Sequence, residues 1–97
     1  MTFKEKIDSP TPVLVDFFTE WCGPCKMMKP ILEEVKSKMG DKISILKVDV
    51  DRNPKAAEVY GIQGVPTLIL FKQGQIQWRQ AGVVSAAQLE KVIEVYL

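Results

Sequence analysis

The sequence contains no histidine. That absence removes the commonest general base, every Cys–His or Ser–His pair, and the usual nitrogen ligand of zinc. Cysteine occurs only twice, at Cys22 and Cys25. Two thiolates without histidine do not complete a four-ligand zinc site within one chain, so no metal site is expected. They are also too few for a disulfide-dense scaffold. Neither sign of charge predominates: 13 basic residues face 12 acidic ones, a formal net charge of +1. A nucleic-acid binder carries a strongly basic face, and a membrane-surface binder a polybasic patch, so neither partner is expected. No apolar run approaches the ~18 residues of a membrane span. The first 12 residues are mixed polar, unlike a secretory leader. The cytoplasm is the expected compartment, and there a structural disulfide is unusual. Any chemistry must come from the one cysteine pair, or from carboxylates and amines.

What is present reads as one domain over residues 1–97, since a second core would leave each half too small to hold. Phe3 to Ile7 has the pattern of a short amphipathic helix, stopped before Pro10 and Pro12. Val13 to Phe18 is a nearly continuous apolar run, as in a strand buried on both faces, with Asp16 as its anomaly. From Pro24 to Met39 the period changes. Met28, Ile31, Leu32, Val35 and Met39 form the stripe of a core-facing helix, with Pro30 expected to kink it and Gly40-Asp41 to stop it. Ile43 to Val50 reads as a second strand. Asn53 and Pro54 read as N-cap and first residue of a short helix running to about Tyr60. Thr67 to Lys72 reads as a third strand, turning at Gln73-Gly74 into a fourth from Gln75 to Ala81. On that fourth strand Trp78 is expected on the same face as Ile76 and Gln80, as a packing residue. Ser85 and Gln88 have the spacing of a capping box for a last helix with Ala86, Leu89, Val92, Ile93 and Tyr96 as its apolar stripe. The order (α)βαβαββα implies a mixed sheet with helices on both faces.

Trp21-Cys22-Gly23-Pro24-Cys25 lies between the first buried strand and the long helix. Two intervening residues put the cysteines at i and i+3 where the helix begins, so both sulfurs share a face and can bond. Pro24 has no N–H to lose in a first helical turn. Cys22 falls at the helix N-terminus, where free N–H groups and the macrodipole favour an anion and so a nucleophilic thiolate. Three other readings stand beside redox chemistry. A structural disulfide over so small a loop stabilises by roughly 2 kcal/mol at most. Half of an intersubunit metal or iron–sulfur site lacks any other soft ligand. Two inert core thiols leave the Gly-Pro between them unexplained. Met27 and Met28 read as helix and core residues. Asp16 reads equally as a buried carboxylate or as a strand-edge acid reaching water. Lys47 reads as a solvated strand lysine, Pro66 as a strand-start proline, and Trp21 as a core residue as readily as a surface one.

The chain resembles the thioredoxin family from about Phe3 to Leu97. The resemblance is carried by Val15-Asp16-Phe17, Trp21-Cys22-Gly23-Pro24-Cys25-Lys26, Lys47-Val48-Asp49, Gly64-Val65-Pro66-Thr67 and Gly82, in that order. It implies a thioredoxin-like three-layer α/β/α sandwich and a thiol–disulfide oxidoreductase that reduces protein disulfides. Cys22 would form a mixed disulfide, and Cys25, the more buried sulfur, would resolve it. Asp16 would lie beneath the site and take the proton of Cys25, with Lys47 tuning it electrostatically. Pro66 would be cis and face the cysteines, leaving the Val65 backbone to pair with an extended substrate. Trp21, Gly23, Pro24, Gly64, Val65, Pro66 and Gly82 would line the substrate surface, with Val83 a further candidate. No cofactor would bind the chain itself; electrons would come from NADPH through a separate thioredoxin reductase, and the partners would be disulfide-containing client proteins of a monomer.

Two departures from the family pattern stand out. Family members carry a longer segment ahead of the first buried strand, including an extra edge strand. Only 12 residues precede Val13 here. The expectation is therefore a four-stranded sheet with Ile43–Asp49 as one edge, guarded by Lys42 and Lys47. Phe18 stands where bacterial members often have Trp. Two alternatives remain in view: a non-catalytic binding module or subunit on the same scaffold, and an oxidant or isomerase running the chemistry in reverse.

Overall fold

The computed structural model describes residues 1–97. Val13–Phe18 forms the first strand, β1, and its first five residues are buried. β2 (Ser44–Asp49) pairs with it in parallel on one side, and β3 (Thr67–Lys72) antiparallel on the other. β4 (Gln75–Ala81) pairs antiparallel with β3. The spatial order is β2-β1-β3-β4, a mixed four-stranded sheet. No strand precedes β1, and β2 is an edge, as expected. β2 begins at Ser44; Ile43 is buried but lies outside the ladder.

Four helices cover the two faces: α1 (Phe3–Ile7), α2 (Gly23–Met39), α3 (Pro54–Val59) and α4 (Ala86–Val95). One core of 11 buried residues lies between the sheet and α2 and α4, and includes Leu14, Met28, Leu32, Leu68, Leu70, Leu89 and Ile93. A second core of seven lies on the opposite face, where Ile7, Val15, Phe17, Ile69 and Phe71 meet Phe3, Ala56 and Tyr60. Leu14 enters the first core and Val13, Val15 and Phe17 the second, with Asp16 buried on the same face as Leu14. That is why the strand reads as an unbroken apolar run. The rings of Phe3, Phe17, Tyr60 and Phe71 pack at centroid distances of 5.4–6.3 Å, which fastens α1 and α3 to the sheet.

Local signals behave as the chemistry requires at most junctions. Gln73 and Gly74 take φ of 51° and 78°, and two left-handed residues in succession suit the twist of a hairpin. α2 runs unbroken through Pro30 to Gly40, whose φ of 56° ends it. Ser85 accepts from the Gln88 N–H at 3.2 Å. The Gln88 side chain reaches instead to Gln80 Oε1, so only half of the expected box forms. Asn53 stands at the N-cap of α3 without making a cap bond. Its Nδ2 donates instead to Asp49 O at 2.9 Å, the carbonyl that already accepts the Asn53 N–H, so both nitrogens of Asn53 fold back onto the end of β2.

The placement of Trp78 corrects the sequence reading. Leu70 pairs with Trp78 but Phe71 with Ile76, so Gln77 is an extra residue in β4. A bulge of this kind reverses the alternation. Trp78 therefore packs on the 11-residue core, while Ile76, opposite Phe71, lies on the other face.

Candidate active site

Four residues after the end of β1, the chain reaches Cys22, the N-cap of α2. Cys22 is extended (φ −87°, ψ 116°), and the Cys25 N–H donates to its sulfur at 3.1 Å. A sulfur thus occupies the place of a capping oxygen and satisfies one of the free amides of the first turn. Pro24 lies in that turn, where its missing N–H removes no helical bond. Cys22 and Cys25 are joined by a disulfide, with Cα atoms 5.3 Å apart. The two residues are 5% and 6% exposed, so the expectation that Cys25 is the more buried is not met. What separates them is their surroundings. Cys22 Sγ faces the carbonyl of Val65 at 3.7 Å. Cys25 lines a cavity of about 160 Å³ with Thr19, Lys29 and Lys47.

The surface around Cys22 is assembled from three loops. Trp21 is 73% exposed and is no core residue; its Nε1–H donates to Asp51 Oδ2 at 2.8 Å. The Val65–Pro66 peptide bond is cis, as the family resemblance implied. Gly82 N–H donates to Pro66 O at 2.8 Å, and the Thr67 hydroxyl to Gly64 O at 2.6 Å. These bonds hold the Gly64–Pro66 and Gly82 segments together at one end of β3. Gly82 has φ of 91°, a conformation side-chain-bearing residues rarely adopt. Gly23, Gly64 and Pro24 are exposed beside the disulfide. Val83 is 40% exposed.

Asp16 is 1% exposed, and neither carboxylate oxygen has a hydrogen-bond partner. Burial disfavours its charged form and pushes its pKa up to about 6; the nearby ammonium of Lys47 opposes the shift. Lys47 is the direct neighbour of Asp16 across β1 and β2. Both lie on the α2 face of the sheet, the face that carries Cys25 at the start of the helix. The Lys47 ammonium sits 5.0 Å from the centroid of the Phe18 ring, a cation–π contact that fixes where its charge falls. Met28 is core and Met27 is 59% exposed, consistent with their reading as helix residues.

Two residues that the structure places at the site escaped the sequence. Asp51, which holds the Trp21 ring, is 30 residues away in the chain and carries no motif of its own. Thr19 has a buried, unpartnered hydroxyl beside Cys25, and only the cavity identifies it. No group of three or more acidic or cysteine side chains is placed to hold a metal. No helix is long and apolar enough to cross a membrane.

A cysteine pair closing a disulfide at a helix N-terminus, with the Val65 carbonyl facing its first sulfur and a buried carboxylate on the same face of the sheet as the helix, defines a thiol–disulfide oxidoreductase. The thioredoxin family model matches residues 1–95, and the chain belongs to the thioredoxin family. It is 53% identical over 89 residues to a thioredoxin-like protein of Synechocystis, covering 92% of this chain and 85% of the relative. It is 45% identical to the thioredoxin of Acidithiobacillus ferridurans, covering 94% of this chain and 84% of that one. Among solved structures it is similar to a mutant thioredoxin from Halobacterium salinarum, with a TM-score of 0.84 and 37% identity over 94% of this chain and 78% of that one. Chloroplastic thioredoxin z superposes with a TM-score of 0.82 at 33% identity, over 90% of this chain and 79% of that one. The family is one of protein-disulfide reductases and electron carriers that act on disulfide clients.

Proposed function

We propose that residues 1–97 act as one domain, a cytoplasmic monomer that carries electrons from a flavoprotein thioredoxin reductase, itself supplied by NADPH, to disulfide-bonded client proteins. One observation supports the mechanism above all others: the Cys22 sulfur caps α2 and accepts the Cys25 N–H at 3.1 Å. In the reduced protein that hydrogen bond and the helix N-terminus stabilise the Cys22 thiolate. The thiolate attacks one sulfur of a client disulfide. The client S–S bond breaks, its other sulfur leaves as a thiolate that takes up a proton, and a Cys22–client mixed disulfide forms. Cys25 then gives its proton to the Asp16 carboxylate and attacks Cys22 Sγ. The client's second sulfur departs, and the Cys22–Cys25 disulfide remains. Two electrons have passed to the client, and the reductase restores the dithiol.

The supporting roles follow from the same site. Asp16, with a pKa near 6, is ionised at neutral pH and so is free to accept a proton. Lys47 favours that ionised state. The free edge formed by Val65, next to the Cys22 sulfur, suits pairing with an extended client segment. Trp21, Gly23, Pro24, Gly64 and Gly82 form the contact surface around it, while Pro66 is buried and acts through the cis bond that presents Val65. Positions without side chains let the client backbone approach.

The test is a pair of single substitutions. Cys25→Ser is expected to accumulate mixed disulfides with clients, visible as adducts that dithiothreitol releases. Cys22→Ser is expected to abolish reduction of a disulfide substrate by NADPH and reductase. Turnover that survives in Cys22→Ser refutes the mechanism. Equilibration with glutathione fixes the direction, since a potential above the cytosolic poise makes the protein an oxidant.

A further inference from the structure

β2 is hydrogen-bonded on one side only. Ser44 N–H donates to Pro12 O at 3.0 Å and Val50 N–H to Phe18 O at 2.9 Å, so the even-numbered residues face β1. Backbone groups alternate sides along a strand, so Ile45 and Lys47 turn their N–H and C=O outward. Both ends of this outward row are closed. Ile43 O accepts from Lys36 Nζ at 2.7 Å, and Asp49 O accepts from Asn53 N–H at 2.9 Å. Between the closures, the backbone groups of Ile45 and Lys47 have no partner strand. A row of this kind is a template for an added strand.

Two cavities flank the row, one on each face of the sheet. The one on the α2 side, about 550 Å³, has Leu32 and Ile45 on its floor. The one on the α1 and α3 side, about 280 Å³, has Phe3, Leu46 and Val48. Successive side chains of an added strand point to opposite faces, so neighbouring apolar residues would enter one cavity each. Their rims hold four lysines, Lys6, Lys29, Lys36 and Lys47, against one carboxylate, Glu33. That is a local charge of +3 on a chain whose net charge is +1.

We propose that this edge binds an extended acidic segment of another protein as an added strand, with a short apolar centre entering the two cavities and flanking carboxylates meeting the lysines. The charge disfavours a second copy of this chain. Two such edges placed together would oppose eight lysines with two glutamates. The surface lies along the β2 edge and shares Lys29 and Lys47 with the cavity beside Cys25, but strand addition there needs no step of the disulfide chemistry.

The test uses a fluorescein-labelled peptide, Glu-Glu-Val-Ile-Val-Glu-Glu, with anisotropy and amide hydrogen exchange as readouts. Saturable binding is expected, with exchange of the Ile45 and Lys47 amides slowed about tenfold at saturation. Lys6→Glu and Lys29→Glu are each expected to weaken binding about two- to fivefold, the range of one exposed ion pair. Binding should fall with added salt. A peptide with lysine in place of glutamate, and one N-methylated on the residues that face the strand, should both fail to bind. The N-methylated peptide leaves the protein untouched, so folding does not confound it. Absence of saturable binding at millimolar peptide overturns the proposal. So does equal binding of either control peptide. Ile45 and Lys47 amides already protected in a peptide-free dimer would give the edge to a second copy and overturn it as well.

Discussion

Replacing Asp16 by Asn is expected to stabilise the protein by about 3 kcal/mol at neutral pH. The magnitude comes from the burial of a carboxylate with no hydrogen-bond partner. Its pKa rises from the ordinary 3.8 to about 6, chiefly through desolvation. Each pH unit between those values is worth about 1.4 kcal/mol. From 3.8 to about 6, this gives about 3 kcal/mol. Because the folded-state value is the higher one, the folded protein holds this proton more tightly than the unfolded chain does. The contribution of Asp16 to stability is therefore full below about pH 3.8, falls as the pH rises to about 6, and is lost above that. Asn has nearly the same shape and never ionises, so it compares with protonated Asp in an equally unpartnered place. The assay is urea unfolding of the oxidised protein and its Asp16→Asn variant from pH 3.5 to 8. The two stabilities should converge at the acid end and separate by about 3 kcal/mol above pH 7, which is roughly 12–24 °C in Tm for a chain of this size. A gap below 1 kcal/mol at pH 7.5, or a gap that persists at pH 3.5, refutes the reasoning.

Other substitutions probe other parts of the structure. Lys47→Ala removes the charge that opposes the shift, so the Asp16 midpoint should move above 6, with the pH profile of client reduction moving the same way. Trp21→Phe loses the hydrogen bond to Asp51, and stability should change by about 1 kcal/mol or less, while KM for a protein client rises with kcat retained. Gly82→Ala meets no atom within 4 Å, so its cost, about 1–2 kcal/mol in denaturant, measures the backbone conformation alone. Phe3→Ala empties one corner of the four-ring cluster and should cost about 2 kcal/mol, less than a fully buried phenylalanine because its ring is partly exposed.

The parts of the fold that depend on short-range pattern were legible in the chain. β1 and β3 are buried on both faces and read as apolar runs; α2 and α4 carry their stripes at helical spacing. The cysteine pair at a strand-to-helix junction pointed to its chemistry, because the spacing and the helix start together make the reactivity. What escaped depends on competition or on distance. Asn53 has the right type for a cap, but the Asp49 carbonyl takes its side chain. The bulge at Gln77 has no compositional mark, and it exchanges the faces of Ile76 and Trp78. Asp51 becomes a partner of Trp21 only when β2 returns the chain beside β1. The near-equal burial of Cys22 and Cys25 was not legible, because their cover comes from residues of other segments, Val65 at the first sulfur and Lys47 beside the second.

β1 has a strand on each side and an apolar layer above and below. Its amides are therefore expected to exchange with solvent only when the whole molecule opens, whereas those on the outer side of β2 are expected to exchange through local fraying. The disulfide hangs a few residues from the end of the strand that opens last. Redox turnover is therefore expected to leave the amide protection of β1 unchanged between the disulfide and dithiol forms. If the proposed reaction holds, the motion that brings two sulfurs into line is expected to come from the client, and reduction rates should track the flexibility of the client's own disulfide loop.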